Sequence, residues 1–101
     1  EFFRSANKLD IDIKLLCDVA KLGSGNSGAL NRISSKALQG DYKGYVFSVN
    51  NTLKDLTYIS DLLKDSKNGE DLSKLAKSFY ESAQEKGFGD LLVSELIEKD
   101  Y

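Results

Sequence analysis

The stretch from Tyr45 to Leu63, YVFSVNNTLKDLTYISDLL, constrains the fold most, because it is the longest segment whose apolar residues return to one helical face. Val46, Val49, Leu53, Leu56, Ile59 or Ser60, and Leu63 recur at steps of three or four, while Asn50, Lys54, Thr57, Asp61 and Lys64 fill the opposite side. That spacing describes an amphipathic helix, and its apolar stripe needs other helices to cover it. A second pattern lies over the first. Phe47, Asn50, Asn51, Lys54 and Asp55 set a ring, two amides, an amine and a carboxylate within about two turns. The first pattern predicts a core and the second a candidate site.

The flanking segments carry the same period. Glu1 to Lys8 has Phe2, Phe3 and Ala6 on one side, like the last turns of a helix that begins before Glu1. Asp10 or Asp12 can cap a second helix in which Ile13, Leu16, Cys17 and Ala20 share a face, with Gly23 as its stop. Asn26 or Ser27 can cap a third, from Ala29 to about Leu38, with Leu30, Ile33, Ala37 and Leu38 inward. Gly40, Asp41 and Gly44 make the turn into the central helix, and Asp65 to Gly69 is a polar loop after it. Leu72, Leu75, Ala76, Phe79, Tyr80 and Ala83 mark a fifth helix, which opens on acidic Glu70 and Asp71 and closes on Lys86-Gly87. Asp90 caps a last helix from Leu91 to Ile97. No run alternates like a strand between turn signals, so the expected fold is all-α, with Val46 to Val49 the one place where a short strand would fit.

Composition narrows the chemistry. A chain of 101 residues, 41% of them hydrophobic, suits one domain, so residues 1–101 are read as a single helical unit. Its net charge of -2 argues against nucleic acid as a partner. Without histidine, and with Cys17 as the only cysteine, the chain offers no imidazole base and no zinc ligand set. Cys17, among Leu15, Leu16 and Val19, reads as a small buried hydrophobe in a reducing, cytoplasmic setting. No apolar run approaches the roughly 18 residues that span a bilayer, and no membrane partner is expected. The opening Glu1-Phe2-Phe3, without an initiator Met, reads as a fragment.

Each motif also has a plain reading. GSGNSG at positions 23–28 satisfies the GxGxxG string, but that fingerprint works only between a buried strand and a helix. Here it follows an amphipathic helix and reads as an interhelical loop. Lys54 and Asp55 alone read as two solvated helix charges. Tyr58 and Tyr80 read as half-buried rings with wet hydroxyls, and Asn50-Asn51-Thr52 as a chance glycosylation string inside a helix.

The order of the pieces adds more. Gly23-Ser24-Gly25-Asn26-Ser27 and Leu38-Gln39-Gly40-Asp41 are followed by Phe47 with Leu53-Lys54-Asp55-Leu56, then by Leu72, Leu75, Ala76 and Tyr80, then by Gly87-Phe88-Gly89-Asp90 with Ser94, Leu96 and Ile97. In that order they resemble the C-terminal domain of the β-hydroxyacid dehydrogenases, the family of 3-hydroxyisobutyrate, tartronate semialdehyde and glyoxylate/succinic semialdehyde reductases. The resemblance spans nearly the whole chain. Two positions depart from the family pattern: Asp71 stands where a Pro is usual, and Leu92 where an Asp is usual.

The resemblance implies an all-helical domain like the C-terminal domain of 6-phosphogluconate dehydrogenase-like enzymes. Such a domain closes the cleft of an N-terminal Rossmann domain that binds NAD or NADP, and it supports a homo-oligomer. The catalytic lysine of such enzymes lies on a helix that would precede Glu1, so no catalytic residue is expected in this chain and no activity from it alone. By the family pattern Lys54 would reach the cofactor, while Phe47 and Asp55 would shape the pocket for a small hydroxyacid or semialdehyde. The competing expectation is a free-standing helical interaction module, with Phe2 and Phe3 as its docking patch.

Overall fold

The computed structural model describes residues 1–101 and is built of helices, with one isolated antiparallel bridge between Ser48 and Leu92. Helices α1 (Phe2–Lys8), α2 (Ile13–Leu22), α3 (Gly28–Ala37), α4 (Val49–Leu62) and α5 (Lys67–Glu85) follow in order, and a 3₁₀ helix, Val93–Glu98, comes last. The fold is all-α, as the periodicity predicts. Local chemistry sets several ends. The Asp12 carboxylate accepts the Leu15 N–H at 3.0 Å at the start of α2, and the Ser27 hydroxyl accepts the Leu30 N–H at 3.1 Å at the start of α3. After α5, Gly87 takes a φ of +83°, the left-handed turn that the Lys86-Gly87 pair predicts.

Three boundaries differ from the sequence expectation. The central helix begins at Val49 rather than Tyr45, because the chain bends at Tyr45, turns locally with the Phe47 N–H on the Tyr45 carbonyl, and bonds through residues 45–48 to a distant segment. Helix α5 begins at Lys67, inside the expected polar loop. The last helix is a 3₁₀ helix preceded by Leu92, whose N–H donates to the Glu95 carboxylate at 2.8 Å, while Asp90 is engaged elsewhere.

The short link after α4 turns the chain so that α5 packs along it, and this is the most extensive helix contact in the molecule. Small side chains, Ser73 and Ala83 among them, are buried on α5. The core is a cluster of Val49, Ala83 and Leu96, sealed by Tyr80, Phe88 and Tyr101. Helix α1 touches α2 and the 3₁₀ helix, and the Arg4 guanidinium lies 4.2 Å above the Tyr101 ring while binding the Glu1 carboxylate at 2.7 Å.

Coverage is uneven. Leu72, Leu75 and Phe79, which mark the apolar face of α5 in the sequence, are exposed, as are Leu15, Val19 and Leu22 on α2. Val46, expected on the α4 stripe, is 84% exposed because the helix starts after it. The radius of gyration is 14.5 Å, larger than the ~13 Å usual for a domain of this length. No helix is long and apolar enough to cross a membrane.

Cys17 is fully buried, as its apolar neighbours predict, and burial pushes its thiol above the ordinary value. Desolvation likewise raises the Tyr80 and Tyr101 phenols. All three bind their protons more tightly folded than unfolded, so their contribution to stability is intact below the ordinary thiol value and is lost as pH rises past it. Denaturant midpoints are expected to hold steady up to about pH 9 and to fall beyond it, and a thiol reagent at neutral pH should modify Cys17 only after the chain unfolds. A midpoint that rises above that pH would contradict this assignment.

Candidate functional site

Residues 44–50 form a strap that crosses α3, runs antiparallel to residues 89–93, and turns into α4. A helix leaves its first amide N–H groups without internal partners. Here the Val49 N–H donates to the Leu91 carbonyl and the Asn50 N–H to the Gly89 carbonyl, each at 2.9 Å. The Ser48 hydroxyl accepts the Asn51 N–H at 3.2 Å. In return the Val93 N–H donates to the Phe47 carbonyl at 2.9 Å, and the Tyr45 N–H donates to the buried Ser94 hydroxyl at 3.1 Å. Phe47 is thereby held on both sides by backbone bonds, half-buried, between two open clefts.

One cleft, of about 360 Å³, is lined by Arg32, Gly44, Tyr45, Val46 and Phe47. The other, of about 320 Å³, is mainly apolar, and Tyr45 and Phe47 divide it from the first. Ile33, Thr52, Tyr80 and Val93 are among its other walls. Aromatic side chains thus form a partition with a cationic residue on one side and an apolar wall on the other.

Lys54 and Asp55 lie further along α4, on its exposed surface. They point in different directions from the helix axis, yet the flexible lysine brings its ammonium within 3.7 Å of the Asp55 carboxylate. Neither residue lines a cleft. The structure therefore joins Phe47 to Arg32, Tyr45, Thr52 and Tyr80, and leaves Lys54 with Asp55 as a separate polar pair. Arg32 carries no signal in the sequence, because α3 meets the strap only in three dimensions.

Asn50 is the tie at the corner. Its carbonyl oxygen accepts from the Gln84 amide at 2.8 Å, and its amide nitrogen donates to the Asp90 carboxylate at 3.0 Å. One side chain thus links the start of α4, the end of α5 and the returning strap. Gly89 is buried directly beneath it, and a Cβ added there would overlap the Asn50 amide, leaving 2.9 Å to its carbon and nitrogen.

The family model described as NAD-binding of NADP-dependent 3-hydroxyisobutyrate dehydrogenase matches residues 1–99, and the chain belongs to that family. No curated protein and no solved structure matches it.

The contact between Gly89 and Asn50 yields a non-additive pair. Gly89→Ala should cost about 1–3 kcal/mol through overpacking, and Asn50→Ala about 1–2 kcal/mol through two lost bonds. The double variant should be less destabilised than the sum, because the truncated side chain removes the clash. Urea unfolding of all four proteins measures the coupling, and simple additivity would show that Gly89 is not held close by Asn50.

Proposed function

We propose that the chain is the C-terminal helical domain of an NAD(P)-dependent oxidoreductase acting on a small β-hydroxyacid or semialdehyde. The family match over residues 1–99 carries this reading. An N-terminal Rossmann domain holds most of the cofactor, and the long helix that joins it to this domain carries the catalytic lysine. The helical domain closes the cleft from the other side, and alone it is inactive. The exposed apolar faces of α2 and α5 support this division, since Leu15, Val19, Leu22, Leu72, Leu75 and Phe79 need covering by another body, a second subunit or the cofactor domain.

The residues present fit the cofactor. Lys54 has a side chain 56% exposed and one loose partner, so its ammonium is free to meet a phosphate or amide oxygen arriving from a neighbouring domain. When bound, the nicotinamide supplies the hydride chemistry. Phe47, fixed by the strap, forms an apolar wall that excludes water near the reacting carbonyl. Asp55, beside Lys54 on α4, orients donors that the closing domain brings to the pocket.

In the intact enzyme, Lys54→Ala should raise the cofactor KM about tenfold or more with a smaller effect on the substrate, and Phe47→Ala should chiefly raise the substrate KM. NADH and NADPH titrations should show tight binding by the protein with its Rossmann domain and weak or no binding by residues 1–101. Tight nucleotide binding by the 101-residue chain alone, or two silent substitutions, would sink the reading.

A further inference from the structure

Asn68 and Gly69 lie in the first turn of α5, and theirs is the one Asn-Gly step in the chain. The other asparagines are followed by Lys8, Ser27, Arg32, Asn51 and Thr52, each with a side chain that crowds its own amide nitrogen. Several are also held in place. Asn26 and Asn31 bond each other through their side chains at 3.1 Å, and Asn50 is tied to Gln84 and Asp90. Asn68 is exposed.

The main chain around Asn68 is free as well. The first amides of a helix have no internal acceptors, and Ser66, at the N-cap, gives these no side-chain bond. The Gly69 N–H therefore has no partner, although a Cβ on Gly69 would stand only 3.2 Å from the Ser66 hydroxyl oxygen. One backbone bond, from the Glu70 N–H to the Ser66 carbonyl at 2.7 Å, closes the turn over Asn68. Opening a terminal turn costs little, and with glycine at 69 no side chain hinders the rotation.

We propose that the Asn68-Gly69 step is a site of spontaneous deamidation in the folded protein, and that the modification alters the link between α4 and α5. The Gly69 nitrogen gives its proton to water and attacks the carbonyl carbon of the Asn68 side chain. The new C–N bond closes a five-membered imide, the bond to Nδ2 breaks, and that nitrogen leaves as ammonia with a proton taken from water. Water then opens the imide at one of its two carbonyls. Opening at one leaves aspartate, and opening at the other leaves isoaspartate, whose main chain runs through the side-chain carbon. One water is consumed and one ammonia released, with no change of oxidation state.

The two products differ in their effect. Aspartate joins Glu70 in the first turn of α5, where the helix dipole favours negative charge. Isoaspartate lengthens the backbone by one carbon, which breaks the bond between Ser66 and Glu70 and draws Gly69 from its seat on Leu63. That seat forms part of the apolar groove lined by Leu56, Leu63 and Leu72. Position 68 also shares a helical face with Leu72 and Leu75, both exposed, so either product sets a carboxylate at the rim of the uncovered apolar face. The reaction needs only this turn and is independent of the dehydrogenase reading.

The test holds the folded protein at mildly alkaline pH and maps its peptides by mass spectrometry over time, with an isoaspartate-specific methyltransferase as the probe for the second product. Asn68 should convert roughly tenfold or more faster than any other asparagine, and faster again as pH rises. Asn68→Gln, which would have to close a larger ring, should remove both products and leave the urea midpoint unchanged. Asn68→Asp should unfold at or above the parent midpoint, and the isoaspartate fraction, separated by chromatography, below it. Earlier conversion of another asparagine, or protection of Asn68 until the chain unfolds in urea, overturns the site. An isoaspartate fraction as stable as the parent overturns the effect on the α4–α5 link.

Discussion

The fold hangs on the pairing of the 45–50 strap with residues 89–93. A helix start is ordinarily finished by its own cap, and α4 does use the Ser48 hydroxyl in that way. Its first two amides go instead to the carbonyls of Leu91 and Gly89, and the Phe47 carbonyl is in turn satisfied by Val93. These bonds place Val49 against Ala83 and Leu96 in the core and leave Phe47 at the surface beside Arg32. One set of backbone bonds therefore fixes both the centre of the core and the wall of the candidate site.

This corner contrasts with the rest of the molecule. Around the strap, Asn50, Gln84, Asp90, Ser94 and Glu95 have their polar atoms engaged. On α2 and the outer side of α5, by comparison, large apolar side chains face outward. Membership of the 3-hydroxyisobutyrate dehydrogenase family gives this division a sense. In the function proposed above, the hydrogen-bonded corner would hold the substrate wall, and the exposed apolar faces would meet the rest of the enzyme.

Sequence legibility follows how local each determinant is. Asp12 and Ser27 cap their helices, and the sequence narrows each to two candidates, Asp10 or Asp12 and Asn26 or Ser27, because a cap needs only its own chain within three residues. Cys17 was readable from its neighbours. The start of α4 was not, since the apolar period continues through Val46 while the competing partners lie near Leu91. Nor was the start of α5, because Lys67, Asn68 and Gly69 favour turns locally and Gly69 is accommodated by packing on Leu63. Periodicity also found the face carrying Leu72, Leu75 and Phe79 without telling what would cover it. Phe47, Lys54 and Asp55 stood out as polar and aromatic residues on one stretch, and their roles came from resemblance. Arg32 needed the close approach of Gly44 to α3 before it had a neighbour at all.

The strap joins residues far apart in the chain: Asn50 meets Asp90 across 40 positions and Tyr45 meets Ser94 across 49. Contacts of that span carry a loop-closure cost that nearby contacts must first reduce. Pairing of α4 with α5 shortens the open loop and so lowers the cost of closing the Phe47 corner. A ligand that bound at this corner would recognise only chains in which the two segments are paired, and would draw the population toward that state by mass action.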